Sequence, residues 1–208
     1  MKENKKKKIY LYRHGETNLN VLGTIMGQNT SLDTCFTEKG YHQINSIVNE
    51  VLDKDIDVIY TSDLKRSLLT AEIINDKLCV PINSVIELRG LNMWTFQGLD
   101  MNKIAYSSIS NVCFNNHDIP FPNGESINQL NRRLIGFINK VCEETDYSSI
   151  LCITHSAAMS NLKAHLKSEL YECVTSLELS WDNGIISVDS YSNVNADKKE
   201  LIKKYVKE

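Results

Sequence analysis

Arg13 and His14 close a short apolar run, Ile9-Tyr10-Leu11-Tyr12, and are followed by Gly15-Glu16-Thr17. A guanidinium presents a planar fork that fits phosphate oxygens, and a neutral imidazole is a nucleophile, so the pair is suited to handling a phosphoryl group. Two groups of the same kind lie far along the chain. Arg66 follows the run Ile56-Asp57-Val58-Ile59-Tyr60 and the turn Thr61-Ser62-Asp63, and His155 follows the run Ser149 to Ile153 and Thr154. Each stands where a strand-like run gives way to polar residues. In an open α/β sheet with right-handed crossovers such strand ends share one edge, and ligands bind there. Two arginines and two histidines around one point make a pocket for a dianion, with phosphate the expected one.

The elements that must carry these groups follow from periodicity. A strand ends at Tyr12, and Val21 to Phe36, with Gly23 and Gly27, reads as a loop over the site. Thr37-Glu38-Lys39-Gly40 opens a helix whose stripe is Ile44, Ile47, Val48, Val51 and Leu52. Ile56 to Tyr60 is a second strand, with N-cap residues in Thr61-Ser62-Asp63 for a helix carrying Leu64, Leu68, Ala71 and Leu78. An Arg in the first turn of that helix opposes the dipole, so an anion facing Arg66 would explain its placement. Ile82 to Leu88 reads as a third strand after Pro81. Gly90 to Asn123 has no sustained period and reads as a lid or substrate wall. Ser126 with Gln129 forms a capping box for a helix over Ile127 to Val141. Ser149 to Ile153 is apolar throughout, as for a central strand, and a helix with Met159, Leu162 and Leu166 follows. Asp182-Asn183-Gly184 between Leu177 to Trp181 and Ile185 to Asp189 signals a hairpin. The expected fold is a three-layer α/β/α sandwich, with a mostly parallel central sheet and an antiparallel edge hairpin. It forms one domain over 1–208, of which 1–8 is a basic tail.

Composition narrows the function. Hydrophobic content of 42%, charged content of 24% and a net charge of -3 describe a globular chain with no field that attracts nucleic acid and no membrane-length apolar run. Cys35, Cys79, Cys113, Cys142, Cys152 and Cys173 show no Cys-x-x-Cys spacing, which argues for reduced thiols in the cytoplasm and against a disulfide frame or a metal site. No cofactor is expected, and the partner is a small phosphorylated substrate. Nothing in these patterns sets an oligomeric state.

Arg13-His14-Gly15-Glu16-Thr17 resembles the signature of the histidine phosphatase superfamily, whose members include cofactor-dependent phosphoglycerate mutases and small phosphatases. The likeness extends to Asn20, to the run from Leu32 ending Thr37-Glu38-Lys39-Gly40, and to Tyr60-Thr-Ser-Asp-Leu-Lys-Arg66 with Thr70-Ala71-Glu72. It continues through Gly124-Glu125-Ser126 and Thr154-His155. The resemblance implies the phosphoglycerate mutase-like fold and a phosphohistidine on His14. It also implies phosphoryl oxygens held by Arg13, Arg66 and His155, with Asn20 assisting and Gly27 and Ser156 among the phosphate-binding positions. A neutral His14 would attack phosphorus, the cations would neutralise the equatorial oxygens, and His155 could be protonated and donate.

Two departures qualify that expectation. The family's Glu that protonates the leaving oxygen aligns with Gly90, and the small residues after the second His read Ser156-Ala157-Ala158. Asp100 and Glu87 are the candidate replacements, although strand alternation would turn Glu87 to the opposite face. Phosphatase activity is the first expectation, with good leaving groups least affected. A mutase is the second, weakened because Gly98 to Gly124 contains only Lys103 and His117 as basic residues. A pseudophosphatase that binds a phosphorylated ligand is the third, favoured by Gly90 and opposed by the complete Arg13, His14, Arg66 and His155 set.

Overall fold

Alternation along the strands decides the architecture. In the computed structural model, which describes residues 7–105, 107–166, 174–181 and 184–189, strand β1 (Lys7–Arg13) turns Ile9 and Leu11 to one face and Tyr10 and Tyr12 to the other. Strand β4 (Ser149–Thr154) does the same with Ile150 and Cys152 against Leu151 and Ile153. All of these side chains are buried, so the sheet must be covered on both faces. Helices α2 (Glu38–Val51) and α3 (Lys65–Leu78) cover one face through Ile44, Ile47, Val51, Ala71 and Ile74. Helices α6 (Ile127–Glu144) and α7 (Ser156–Leu166) cover the other through Leu130, Leu134, Phe137, Met159 and Leu162. The result is the expected three-layer α/β/α sandwich.

Strands β2 (Val58–Ser62), β3 (Ile82–Val85), β5 (Val174–Trp181) and β6 (Gly184–Asp189) complete a sheet of order β3-β2-β4-β1-β5-β6. Neighbours from β3 to β5 are parallel, and β6 pairs antiparallel with β5. The turn residues Asp182 and Asn183 lie outside the described residues, as do 1–6 and the Lys- and Glu-rich end from 190. Register makes the carboxyl ends flush: Arg13 lies opposite Thr154, and Thr61 opposite Ile153. The edge where β1, β4 and β2 end together is therefore one surface.

Several elements differ from their sequence expectation. The basic tail does not reach residue 8, because Lys7 and Lys8 are in β1. Lys7 is buried and its Nζ donates to Thr145 O at 2.7 Å and Tyr147 O at 2.6 Å, supplying a cation at the C-terminal end of α6. β2 begins two residues late and takes in Thr61 and Ser62. The N-cap position of α3 is then Leu64, with no side-chain cap, and Ser62 Oγ accepts from Leu64 N–H instead. Asp63 is drawn away by Arg89, whose Nε donates to it at 2.6 Å. β3 stops at Val85, and Ile86–Leu88 forms a 3-10 turn, so strand alternation does not apply to Glu87. Leu52 ends α2 and is exposed. The aperiodic segment contains a 3-10 turn at Trp94–Phe96 and two short helices, α4 (Met101–Ala105) and α5 (Ser108–Asn115). Leu91, Met93, Phe96, Ile104 and Phe121 join the same core as β1 and β4. A further short helix, α1 (Asn18–Val21), follows the first motif.

The first motif is pressed onto α2. Thr37 N–H donates to Glu16 O at 3.0 Å, and a Cβ built on Gly40 would stand 2.2 Å from Glu16 O, so only glycine permits this approach. Gly40→Ala should therefore lower stability by about 1–3 kcal/mol, the usual range for overpacking. Urea denaturation measures it, and an unchanged midpoint would contradict the contact.

Candidate active site

His14 lies one residue beyond β1, with its backbone N–H on Thr154 O at 3.1 Å, and the residue is 4% exposed. Its Nδ1 is 2.8 Å from Gly15 O, a carbonyl that can only accept, so Nδ1 carries the proton. Nε2 is left with its lone pair, which accepts from Arg66 Nε at 3.2 Å. Burial lowers the His14 pKa well below the ordinary histidine value, and the charges of Arg66 and Arg13 lower it further. This is the neutral tautomer a nucleophile requires.

Arg66 is the second residue of α3 and is 6% exposed. The buried residues of this helix include Arg66, Ser67 and Thr70 as well as Ala71 and Ile74, so part of its inner face is polar and turned to the site rather than to the core. Arg66 Nη2 donates to Gly27 O at 2.8 Å and to His155 Nδ1 at 3.1 Å, and Thr70 Oγ1 accepts Gly15 N–H at 3.2 Å. Burial, with Arg13 nearby, lowers the Arg66 pKa to about 10, which leaves it charged at neutral pH. Its described partners are two imidazole nitrogens and a carbonyl, none of them an anion. A buried guanidinium so placed favours any phosphate oxygen that reaches it.

His155 follows β4 directly and is 5% exposed. Its ring centroid is 5.1 Å from that of His14. Because Arg66 must donate, His155 Nδ1 accepts, and Nε2 holds the proton toward Ser62 Oγ at 3.0 Å and Ser67 Oγ at 3.3 Å. Burial first, then Arg66, His14, Arg133 and Arg13 push its pKa well below the ordinary value, so the ring is neutral here, whereas the expectation of a protonated, donating His155 is for a ring beside a bound oxyanion. Arg13 is the last residue of β1, and its charge acts on both imidazoles and on Arg66. The four residues singled out by chemistry thus share one place.

The other candidates divide. Gly27 adopts φ +50° and offers the carbonyl that Arg66 holds, so it supports the clamp through its backbone. Asn20 forms a capping box with Thr17, accepting Thr17 N–H at 3.0 Å, and so shapes the turn after the motif. Ser156 opens α7 beside His155. Glu87 does not join the site, since it lines a separate groove with Tyr60, Phe137 and Lys140. Asp100 bridges Thr24 and accepts Asn102 N–H at 2.9 Å at the start of α4. Neither acid is shown against the histidines.

Gly90 is buried, and a Cβ built on it would lie 3.1 Å from His155 Cβ and 3.2 Å from its Cγ. A network that the sequence did not single out holds it there. Arg133 Nη1 donates to Glu87 O at 2.6 Å and Arg89 O at 2.9 Å, while its Nη2 reaches Gly90 O at 3.3 Å and Glu125 Oε1 at 2.6 Å. Glu125 also accepts Asn92 N–H at 2.9 Å, and Gln28 Nε2 donates to Gly90 O at 2.9 Å. Gly124-Glu125-Ser126 had marked Glu125 as a family position, but nothing distinguished Arg133 from any helix-surface cation. Among the described residues, no group of three or more His, Cys, Asp or Glu is arranged to hold a metal ion, and no helix is long and apolar enough to cross a membrane.

The chain belongs to the histidine phosphatase superfamily, branch 1, whose family model matches residues 9–199. It is 29% identical to an uncharacterized phosphatase, PhoE, of Bacillus subtilis over 154 residues, 74% of either chain. A probable phosphoglycerate mutase, GpmB, of Yersinia pestis is 29% identical over 161 residues, covering 76% of this chain and 74% of its own. Among solved structures, the alpha-ribazole phosphatase of Shigella flexneri superposes with a TM-score of 0.67 at 25% identity, over 78% of this chain and 80% of that one. Phosphatases and mutases are thus both among its relatives.

Two buried neutral histidines give the fold a defined acid sensitivity. Their folded pKa values lie below the unfolded value of about 6.5, so the unfolded chain binds more protons and stability falls as pH drops below that value. Each contributes up to about 1.4 kcal/mol per pH unit until its folded pKa is reached. Urea midpoints taken from pH 7.5 down to pH 5 check this, at roughly the limits of that window. A His155→Gln variant should lose about half of the slope.

Proposed function

We propose that the chain is a phosphatase that hydrolyses a small phosphoester through a phosphohistidine on His14. The observation that carries this is the state of His14: Nδ1–H on Gly15 O, and Nε2 unprotonated with Arg66 Nε 3.2 Å away. The substrate phosphoryl would lie among Arg13, Arg66 and the two rings. His14 Nε2 attacks phosphorus in line, the guanidiniums take up charge on the equatorial oxygens, and water then releases phosphate. Arg66 reaches both imidazoles, so it holds the nucleophile and the phosphoryl group in one frame.

A mutase must retain the phosphohistidine and seat a second anionic group. The segment Gly98 to Gly124, whose Ile104, Cys113 and Phe121 join the core, offers only Lys103 and His117 as basic residues, and this favours hydrolysis. A pseudophosphatase remains the second reading because Gly90 carries no carboxylate, yet pure binding would not require a nucleophile held in its reactive tautomer. Among the described residues five cysteines are free, three of them buried, which supports a reducing compartment, and the cytoplasm is the proposed location.

Rapid quench with a 32P-labelled phosphoester tests the reading. An acid-labile, alkali-stable adduct is expected on the wild type and none on His14→Ala, because a phosphoramidate is lost in acid. An acid-stable adduct on another residue, or turnover that survives His14→Ala, would overturn it.

A further inference from the structure

Protons near the candidate reaction centre already have partners that face away from a leaving group. His14 Nδ1–H is held by Gly15 O, and His155 Nε2–H by Ser62 and Ser67. Arg66 directs Nε to His14 and Nη2 to Gly27 O and His155. Guanidinium groups hydrogen-bond an oxyanion without giving up a proton at neutral pH.

Four nearby carboxylates among the described residues are committed in the same way. Glu125 is clasped by Arg133 and accepts Asn92 N–H, and Asp63 is clasped by Arg89. Glu16 accepts from Thr37 and Lys39, and Asp100 from Asn102 N–H. Glu72 lines the same cavity as Arg66, but it is exposed and stands about 9 Å along the helix axis from it. The backbone position that opens beside His155 is Gly90, where a side chain would begin 3.1 Å from His155 Cβ. Its carbonyl is fixed by Gln28 and Arg133, so it does not vary freely.

Among the described residues, the site is rich in charge that stabilises a phosphoryl group and poor in groups that protonate a departing oxygen. We infer that its preferred substrates are small phosphoric anhydrides, either acyl phosphates or P–O–P compounds, whose leaving group departs as a stable anion. This rests on the phosphohistidine reading and adds the substrate class. In the first step His14 Nε2 forms the N–P bond while the P–O bond breaks, and the electron pair leaves on the carboxylate or phosphate oxygen. A carboxylate has a pKa of about 4, so it needs no proton to depart. In the second step water oxygen bonds to phosphorus and the N–P pair returns to Nε2. Both water hydrogens leave on dihydrogen phosphate, and His14 regains the neutral Nδ1–H tautomer it started from. An alkyl ester would have to expel an alkoxide, and without a general acid that forfeits about a hundredfold to ten-thousandfold in rate.

The test compares kcat/KM on acetyl phosphate, pyrophosphate, phenyl phosphate and phosphoserine, because that ratio covers only the steps through P–O cleavage. At least one anhydride should exceed phosphoserine by about a hundredfold or more. Phenyl phosphate should fall between, its phenol having a pKa of about 10. Acetyl phosphate against pyrophosphate separates the acyl from the P–O–P source. Gly90→Glu should narrow the gap by about tenfold or more, whereas Gly90→Ala, which presses on His155 equally, should not. A smaller wild-type ratio overturns the inference, and it decides alone if Gly90→Glu fails to fold. A His14 adduct formed at similar rates from all four compounds would overturn the anhydride class and leave the phosphohistidine reading standing. Inertness on all four, with no adduct, would overturn both.

Discussion

A single buried guanidinium fixes the chemistry of this site. Arg66 donates to His14 through Nε and to His155 through Nη2, at 3.2 and 3.1 Å. Because arginine can only donate, both imidazoles must accept, and each is forced to place its proton on its other nitrogen. For His14 that nitrogen faces Gly15 O, which leaves the Nε2 lone pair toward Arg66. For His155 it faces Ser62 and Ser67, which turns the proton away from the substrate side. Burial, and after it the same charge, hold both pKa values down.

The rest of the molecule keeps that guanidinium in place. The flush ends of β1, β4 and β2 set the spacing of Arg13, His155 and Ser62, and α3 delivers Arg66, Ser67 and Thr70 from one stretch. Gly40 lets α2 close on the first motif, and the carbonyl of Gly27 takes one Arg66 donor. Behind His155, Arg133 gathers the carbonyls of the 86–90 segment, which has no sheet partner of its own, and ties them to Glu125. A segment with so many carbonyls on one side chain is held by that side chain rather than by regular structure.

Much of this was legible in the sequence, and the rest has physical reasons for being hidden. The strands and helices that bury apolar stripes were evident, since Ile44, Ile47, Leu130 and Leu134 follow the helical period and Ser149 to Ile153 is apolar throughout. The convergence of Arg13, His14, Arg66 and His155 could be read from their places at strand ends. The inner face of α3 could not, because its buried Arg66, Ser67 and Thr70 look like surface residues to any pattern based on hydrophobicity. Asp63 reads as an N-cap until Arg89, distant in sequence, competes for it. Lys7 reads as part of a solvated tail until the end of α6 meets it with two carbonyls. Arg133 and the charge state of His155 depend on contacts between segments that local sequence does not couple.

Opposite tautomers on the two histidines are the most direct consequence of Arg66 lying between them. Two-bond proton–nitrogen correlation spectra of the protein carrying 15N-labelled histidine, recorded near neutral pH, read each ring separately. The account predicts that His14 shows protonated Nδ1 and bare Nε2, and that His155 shows the reverse, both rings neutral. Either ring appearing as an imidazolium, or both showing the same tautomer, would contradict it.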